Sequence, residues 1–549
     1  MKILKLTAML LLAGNAAAET FAIHNVTGAT PTQDGLLDFS VLVIENGKVL
    51  DVGDDGLLDD YPDVRRVDGG GRFLLPGMAD AHAHLTDLGF LYAQVDQTGL
   101  TSLADAVAAI GAFDDANPGD SWIEGRGWNQ VLWDVKEFPS SDDIDAVVAD
   151  RPVYLKRIDG HAGWANSLAM QLAGIDDDTP DPVGGKIVRD ARGKATGVLI
   201  DTAMDYVQQK IPSPDKAALR LVYQKAFDNL LPLGITTVHD AGIRLIDVET
   251  LVAMADNDEM SVRVYAMILG AGSDLDAIGY PIVAYGDDRL DVRSVKIEYD
   301  GALGSRGAAL FEPYDDDVEN TGLLLLSDDE LHAEIEKANG MGFQVSVHAI
   351  GDQANRNALD AFAVVQNGKP SPHRNRIEHA QIVSLQDIPR FAELGVIASV
   401  QQVHATSDMN MAEDRVGPRR ILGGYAWRRL IDSGAIIAGG TDFPIEYPNP
   451  FYGMHAAVTR QDRDNLPAGG WYSDQAMTRE ETLRSVTLDA AYAAHQEYRV
   501  GSLERGKWAD FIIVDRNYFE IPAEDIHKIQ VLETWIGGEK LYDRAEAEQ

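Results

Sequence analysis

Apolar, strand-like runs alternate with amphipathic helical stretches along most of this chain. Seven runs follow one another: GITTVHDA (234–241), SVRVYAMI (261–268), SVKIEYDG (294–301), QVSVHAI (344–350), RIEHAQI (376–382), VIASVQQ (396–402) and AIIAGGTD (435–442). Helical segments such as DDELHAEIEKANGMG and DQANRNALDAFAVVQ lie between them. An eighth run, LLPGMADAHAHL, opens the series and ends near His84. Eight strand–helix units in succession predict an α/β fold built on a (β/α)8 TIM-type barrel.

The two chain ends carry a different pattern. Residues 20–72 read as short strands and turns (FAIHNVTGAT, FSVLVIENGKVLDVG, RRVDGGGRFL), and GSLERGKWADFIIVD and IQVLETWIGGEKLYD repeat that character at the C-terminus. Residues 19–72 and 500–549 are therefore expected to pair into one composite β-sandwich, leaving 73–499 for the barrel. Residues 101–212 break the rhythm between the first and second runs, and are too long for a loop. They predict a folded, cap-like insertion after barrel strand 1, beside the barrel mouth.

Composition then narrows the function classes. Hydrophobic residues make up 45% and charged residues 24% of the 549, as in an ordinary globular protein. A formal net charge of −40 repels nucleic acid and anionic membranes and reads as a solvated acidic shell, leaving a small molecule as the expected partner. The sequence leaves homo-oligomerisation open. Cysteine is absent, which excludes disulfides, thiolate metal sites and a catalytic thiol. Lys2 and Lys5 precede the apolar LTAMLLLAG and then NAAAET. This is the form of a secretory signal peptide, too short to span a membrane, with cleavage expected between Ala18 and Glu19. The mature protein is accordingly expected to be soluble and exported, periplasmic or secreted.

The candidate chemistry sits at the strand ends. Strand alternation puts His82 and His84 on one face. Lys296, His348, His379 and Asp442 lie at or near the ends of the runs that would form strands four, five, six and eight. Taken singly, each has an ordinary reading: a hydrogen-bonded core histidine, a salt-bridged lysine, a helix-capping aspartate. Taken together and in strand order, they offer the ligand chemistry of zinc or a similar divalent metal at the mouth, where barrel enzymes work. Further polar or aromatic groups are candidates for holding a substrate: Trp128, His161, Asp300, Arg306 and His404. Arg306 could fork onto a substrate carboxylate or carbonyl, or pair with one of the many acidic side chains. Trp128, with Asn129 and Trp133, could wall a pocket or fill a core. His239 reads as structural.

The set ADAHAH, VKIEYDGALGSR, VHAIGD, IEHAQ, GGTDFP and GSLERGKWADFIIVD resembles the amidohydrolase superfamily, and within it the amidohydrolase-3, YtcJ-like branch. The resemblance implies a TIM-type barrel, a composite β-sandwich, and a centre of one or two divalent ions, expected to be Zn2+. It implies His82, His84, Lys296, His348, His379 and Asp442 as metal-binding residues, with Lys296 carrying a carbamate formed from carbon dioxide. Asp442 would be general base and then general acid while the metal activates water. The implied reaction is hydrolysis of a non-peptide C–N bond in an N-acyl or N-formyl amide. Deamination, or opening of a cyclic amide or lactone, is the alternative at the same site. An exported binding protein with a vestigial site is the alternative of another class.

The mature chain is predicted to begin at Glu19 outside the cytoplasm. N-terminal sequencing or intact mass of the native protein checks this, and a cytoplasmic species retaining Met1 would refute it.

Overall fold

The computed structural model describes residues 20–548; the stretch expected to be a signal peptide lies outside the described residues. Eight parallel strands form the barrel. We number them barrel strands 1 to 8: Met78–Ala83, Ile235–Ile243, Arg263–Leu269, Leu290–Glu298, Gln344–Ala349, Arg376–His379, Ile397–Gln401 and Ile437–Gly440. Each is paired in parallel with the next from strand 1 to strand 8. Parallel strands packed on both faces must be apolar nearly throughout. Strand 3 follows the rule, buried at every position except its last.

Closure between strands 8 and 1 relies on side chains and single backbone bonds. Asp442 N donates to His82 O (2.8 Å), and His84 N donates to Phe443 O (2.9 Å). The buried Asp80 carboxylate accepts from Thr441 N (3.0 Å) and Thr441 Oγ1 (2.6 Å). Gly440 permits this approach, because a Cβ there would stand 2.6 Å from His82 N.

The chain ends build two further sheets. One joins Lys48–Gly53, Val41–Glu45, Thr20–His24 and Arg65–Asp68; the other orders Glu539–Asp543, Val531–Ile536, Phe511–Val514, Phe73–Pro76, Thr27–Thr32 and Gly35–Phe39. Phe21, Ile23, Leu42 and Ile44 from the first pack on Phe511, Ile513 and Trp535 from the second. Phe73–Pro76 pairs antiparallel with Phe511–Val514, so residues numbered with the barrel in the sequence reading belong to the sandwich. At the start of barrel strand 3, Arg263 forks onto Asp510 (2.6 and 3.0 Å), and both are buried.

Leu85–Asp228 forms a compact unit of its own. Its sheet runs Gly185–Arg189, Ala195–Asp201, Ala162–Ala165, Val153–Arg157, Ile123–Trp128 and Val95–Asp96. Its core gathers Trp128, Trp133, Trp164, Leu155 and Val198. The unit is wider than the span 101–212 because Val95–Asp96, upstream of that span, pairs with Ile123–Trp128. Among the described residues no helix is long and apolar enough to cross a membrane.

The Arg263–Asp510 pair yields a stability prediction. Arg263→Ala leaves a buried carboxylate without its partner, which typically costs roughly 3–5 kcal/mol. Denaturant or thermal unfolding should show a loss of that order, and Asp510→Asn in the same chain should recover part of it.

Candidate metal centre

The C-terminal ends of the barrel strands bring together residues that lie far apart in the chain. His82, His379 and Asp442 each offer one ligand atom, these atoms lie within 4.8 Å of one another, and all three residues are buried. Asp442 Oδ1 stands 3.7 Å from His82 Nε2 and 3.2 Å from His84 Nε2. The His379 ring lies 4.7 Å from that of His82 and 4.4 Å from that of His348, centroid to centroid. Five sequence-predicted groups thus gather at one place. His379 and Asp442 adopt left-handed backbone conformations (φ 74° and 62°), which cost a non-glycine residue of the order of 1 kcal/mol or more. The closure bond from Asp442 N helps to hold the second of them.

A second layer fixes the imidazoles. His82 Nδ1 donates to Glu378 Oε2 (2.6 Å) and His379 Nδ1 to Gln401 Oε1 (2.8 Å), while His348 Nδ1 lies 3.1 Å from Glu298 Oε2 as an ion-pair contact. With the proton on Nδ1, the rings of His82 and His379 turn the lone pair of Nε2 toward the centre. The Nε2 atoms of His82 and His348 are buried with no hydrogen-bond partner among the described residues. Buried polar atoms are normally satisfied, so orphaned imidazole nitrogens beside an ionised carboxylate fit a divalent cation well.

Electrostatics puts these groups in the protonation states that a metal requires. Burial lowers the pKa of His82, and the nearby Lys296 adds to this. Burial brings His348 down to about 4 and drives His379 well below the ordinary value. Burial alone would raise Asp442, but the hydrogen bond from His84 and the charge of His82 bring it to about 2. His82, His348 and His379 are thus neutral near pH 7 and the carboxylate is ionised, whereas His84, which burial alone would lower, is raised by its hydrogen bond to Asp442.

Glu378 is anchored in turn. Arg376 donates to it through Nε (2.8 Å) and Nη2 (3.1 Å), and the same guanidinium reaches Ala81 O (2.6 Å), Ser399 Oγ (2.8 Å) and His239 Nδ1 (3.0 Å). Burial would raise the Glu378 carboxyl, yet Arg376 and His82 hold it well below the usual carboxylate range. Lys296, 1% exposed, donates from Nζ to Glu298 Oε1 (2.8 Å), so one carboxylate holds both Lys296 and His348. The sequence reading missed Glu378, Arg376, Glu298 and Gln401. A signal was present: in RIEH and VKIE the charged pairs are two apart, hence on one face of a barrel strand, where an unpaired charge is costly.

The substrate-binding candidates separate. His404 joins the centre, its Nε2 4.0 Å from Asp442 Oδ2. Asp300 is close, with Oδ1 3.4 Å from His348 Nε2. Its oxygens accept from Ile350 N, Gly351 N and Ala309 N (2.8–2.9 Å), tying the loop after strand 4 to the loop after strand 5. Burial pushes Asp300 up to about 7 despite these bonds. Arg306 takes the ion-pair reading: its Nε and Nη2 fork onto Asp316 (3.0 and 2.9 Å). Trp128 is corrected from pocket wall to core: it has no exposed surface and donates from Nε1 to Leu155 O (2.9 Å) inside the insertion. His161 is largely exposed on that same unit and meets Asp201 Oδ1 at 2.9 Å. His239 lies inside the barrel on Arg376.

Glu378→Gln replaces a charged acceptor by a neutral amide and leaves Arg376 without its counter-ion. Loss of such an outer-layer partner typically weakens metal affinity about 10–100-fold. Competition titration with a metal-sensitive dye should show that drop, and unchanged affinity would remove Glu378 from the centre.

Comparison with known proteins agrees with this geometry. The family model described as "Amidohydrolase family" matches residues 65–542. The putative amidohydrolase YtcJ of Bacillus subtilis (strain 168) is 30% identical over 91% of this chain and 96% of its own length. The N-substituted formamide deformylase of Arthrobacter pascens is 28% identical over 88% of this chain and 91% of its own. A crystal structure of a metal-dependent hydrolase from Pyrococcus horikoshii OT3 superposes with a TM-score of 0.75 at 28% identity, covering 92% of this chain and 99% of that one. With the family model matched over most of its length and a donor set suited to a divalent ion at the mouth of its barrel, this chain belongs to the amidohydrolase family, metal-dependent hydrolases of C–N bonds.

Proposed function

We propose that this protein is an exported hydrolase of N-acyl or N-formyl amides, cleaving a non-peptide C–N bond and releasing a carboxylic acid and an amine. The observation that carries the proposal is the buried, ionised Asp442, with Nε2 of His82 3.7 Å and Nε2 of His84 3.2 Å from its Oδ1. Similarity to a formamide deformylase along nearly the whole chain supports the substrate class. His82, His84, His348, His379 and Asp442 would hold one or two divalent ions, which we take to be zinc. The bound metal would supply activation of water and polarisation of the carbonyl. Asp442 accepts the proton of the attacking water as the new C–O bond forms. It then returns that proton to the amine nitrogen as the C–N bond breaks. The buried setting of its carboxylate keeps it from exchanging that proton freely with solvent.

Lys296 is proposed to be carboxylated in the loaded enzyme. Lys296 is buried, and a lysine amine in its neutral form can take up carbon dioxide. Carboxylation would exchange the cation now facing Glu298 for an anion, leaving Nζ a single N–H to offer to Glu298 Oε1.

Two outcomes are expected. Asp442→Asn should fold and retain at least one metal, while kcat on a panel of N-formyl and N-acyl amines falls roughly 10²–10⁴-fold. Near-normal turnover by that folded, metal-loaded variant would remove Asp442 from the mechanism. Lys296→Ala should lose metal and activity together and regain part of both with short carboxylic acids. A structure with Lys296 as an ammonium pointing away from bound metal would end the carboxylation proposal.

A further inference from the structure

We infer that His404 is a hydrogen-bond donor, through Nε2–H, for the carbonyl oxygen of the substrate, and is not a metal ligand. The substrate half of this inference rests on the amide-hydrolase reading above; the assignment of the donor does not.

The distinction lies in what faces each Nδ1. In His82 and His379 that atom hydrogen-bonds to an oxygen, so it carries the proton and Nε2 is left with a lone pair. His404 is reversed. Gln381 Nε2, an amide nitrogen with only hydrogens to offer, donates to His404 Nδ1 (3.1 Å). An imidazole that accepts at Nδ1 carries its proton on Nε2. That Nε2 is buried, has no hydrogen-bond partner, and stands 4.0 Å from Asp442 Oδ2, too far for a hydrogen bond. The His404 ring lies nearly parallel to that of His379 (12°, centroids 6.3 Å apart). Two imidazoles side by side thus present opposite chemistry: a lone pair from one and an N–H from the other.

The surroundings fix this arrangement. Tyr425 N donates to Gln381 O (2.7 Å), and Tyr425 Oη donates to Asp408 Oδ2 (2.7 Å). Asp408 N donates to His404 O (2.9 Å). Both members of the pair therefore depend on one tyrosine. Tyr425 O in turn accepts from Nη1 of Arg460 (3.1 Å), a wholly buried guanidinium between the rings of Trp427 and Trp471 (4.4 and 5.4 Å). A fixed N–H in a dry site stabilises an oxygen that gains negative charge as the carbonyl is attacked, and a donor of this kind is typically worth 10²–10³-fold in kcat.

The experiment uses metal-loaded full-length protein and an N-alkyl formamide as probe. His404→Ala should keep the wild-type metal content by elemental analysis while kcat falls about 10²–10³-fold. His404→Gln, whose amide N–H can reach the position of Nε2–H, should restore part of the loss; His404→Asn, which mimics Nδ1, should not. In the imidazole ¹⁵N spectrum, the signal missing from His404→Gln should be that of an Nε2–H tautomer. Loss of metal in step with activity in His404→Ala, an unchanged rate, or an Nδ1–H signal would each overturn the assignment. If the wild type cleaves no amide in the panel, the amide reading fails, and metal content with the ¹⁵N tautomer still decides whether His404 is donor or ligand.

Discussion

The centre depends on a buried ion pair in barrel strand 6. Arg376 and Glu378 are both wholly buried, and neither charge could lie inside a barrel without the other. The guanidinium also reaches strand 1 at Ala81, strand 2 at His239 and strand 7 at Ser399. The register of four strands is thereby keyed to one side chain. The carboxylate that neutralises it is also the group that fixes the proton of His82. Packing and ligand geometry are set by one interaction, so the metal site is prepared by the same network that aligns the strands.

The opposite seam shows how tightly the centre is bound into the fold. Strands 8 and 1 meet through Asp80, Thr441 and the backbone of His82 and Asp442. Asp442 is held there in a left-handed conformation that an aspartate adopts at some cost, and His379 across the barrel is held likewise. His379 is the last residue of strand 6 and Asp442 lies two residues past the end of strand 8, where the chain turns out of the barrel. Such strain persists only where the surrounding bonds overdetermine the backbone. Here those bonds aim a carboxylate and an imidazole at one point.

Charge is distributed unevenly between surface and interior. The chain carries a net charge of −40, yet Lys296, Arg263, Arg376 and Arg460 are buried. The first three meet carboxylates, and Arg460 meets indole faces and backbone carbonyls. Buried charges near the site are thus met either by an opposite charge, as for Lys296 and Arg376, or by hydrogen bonds alone, as for Asp80 and Asp300. The mean charge of the chain says little about the potential at its centre.

The sequence by itself determined the eight-stranded barrel and the residues that reach its mouth. Both follow from local rules: apolar runs of strand length, helical periods between them, and the alternation that puts His82 and His84 on one face. Only the tertiary structure decided what each side chain meets. His82 and Glu378 are 296 residues apart, Arg306 found its partner in Asp316, and Trp128 closed into the core of the insertion. The proton positions on three imidazoles followed from whether an oxygen or a nitrogen stood opposite Nδ1. No periodicity encodes such choices, because they depend on which strand ends come within hydrogen-bond distance once the barrel has closed.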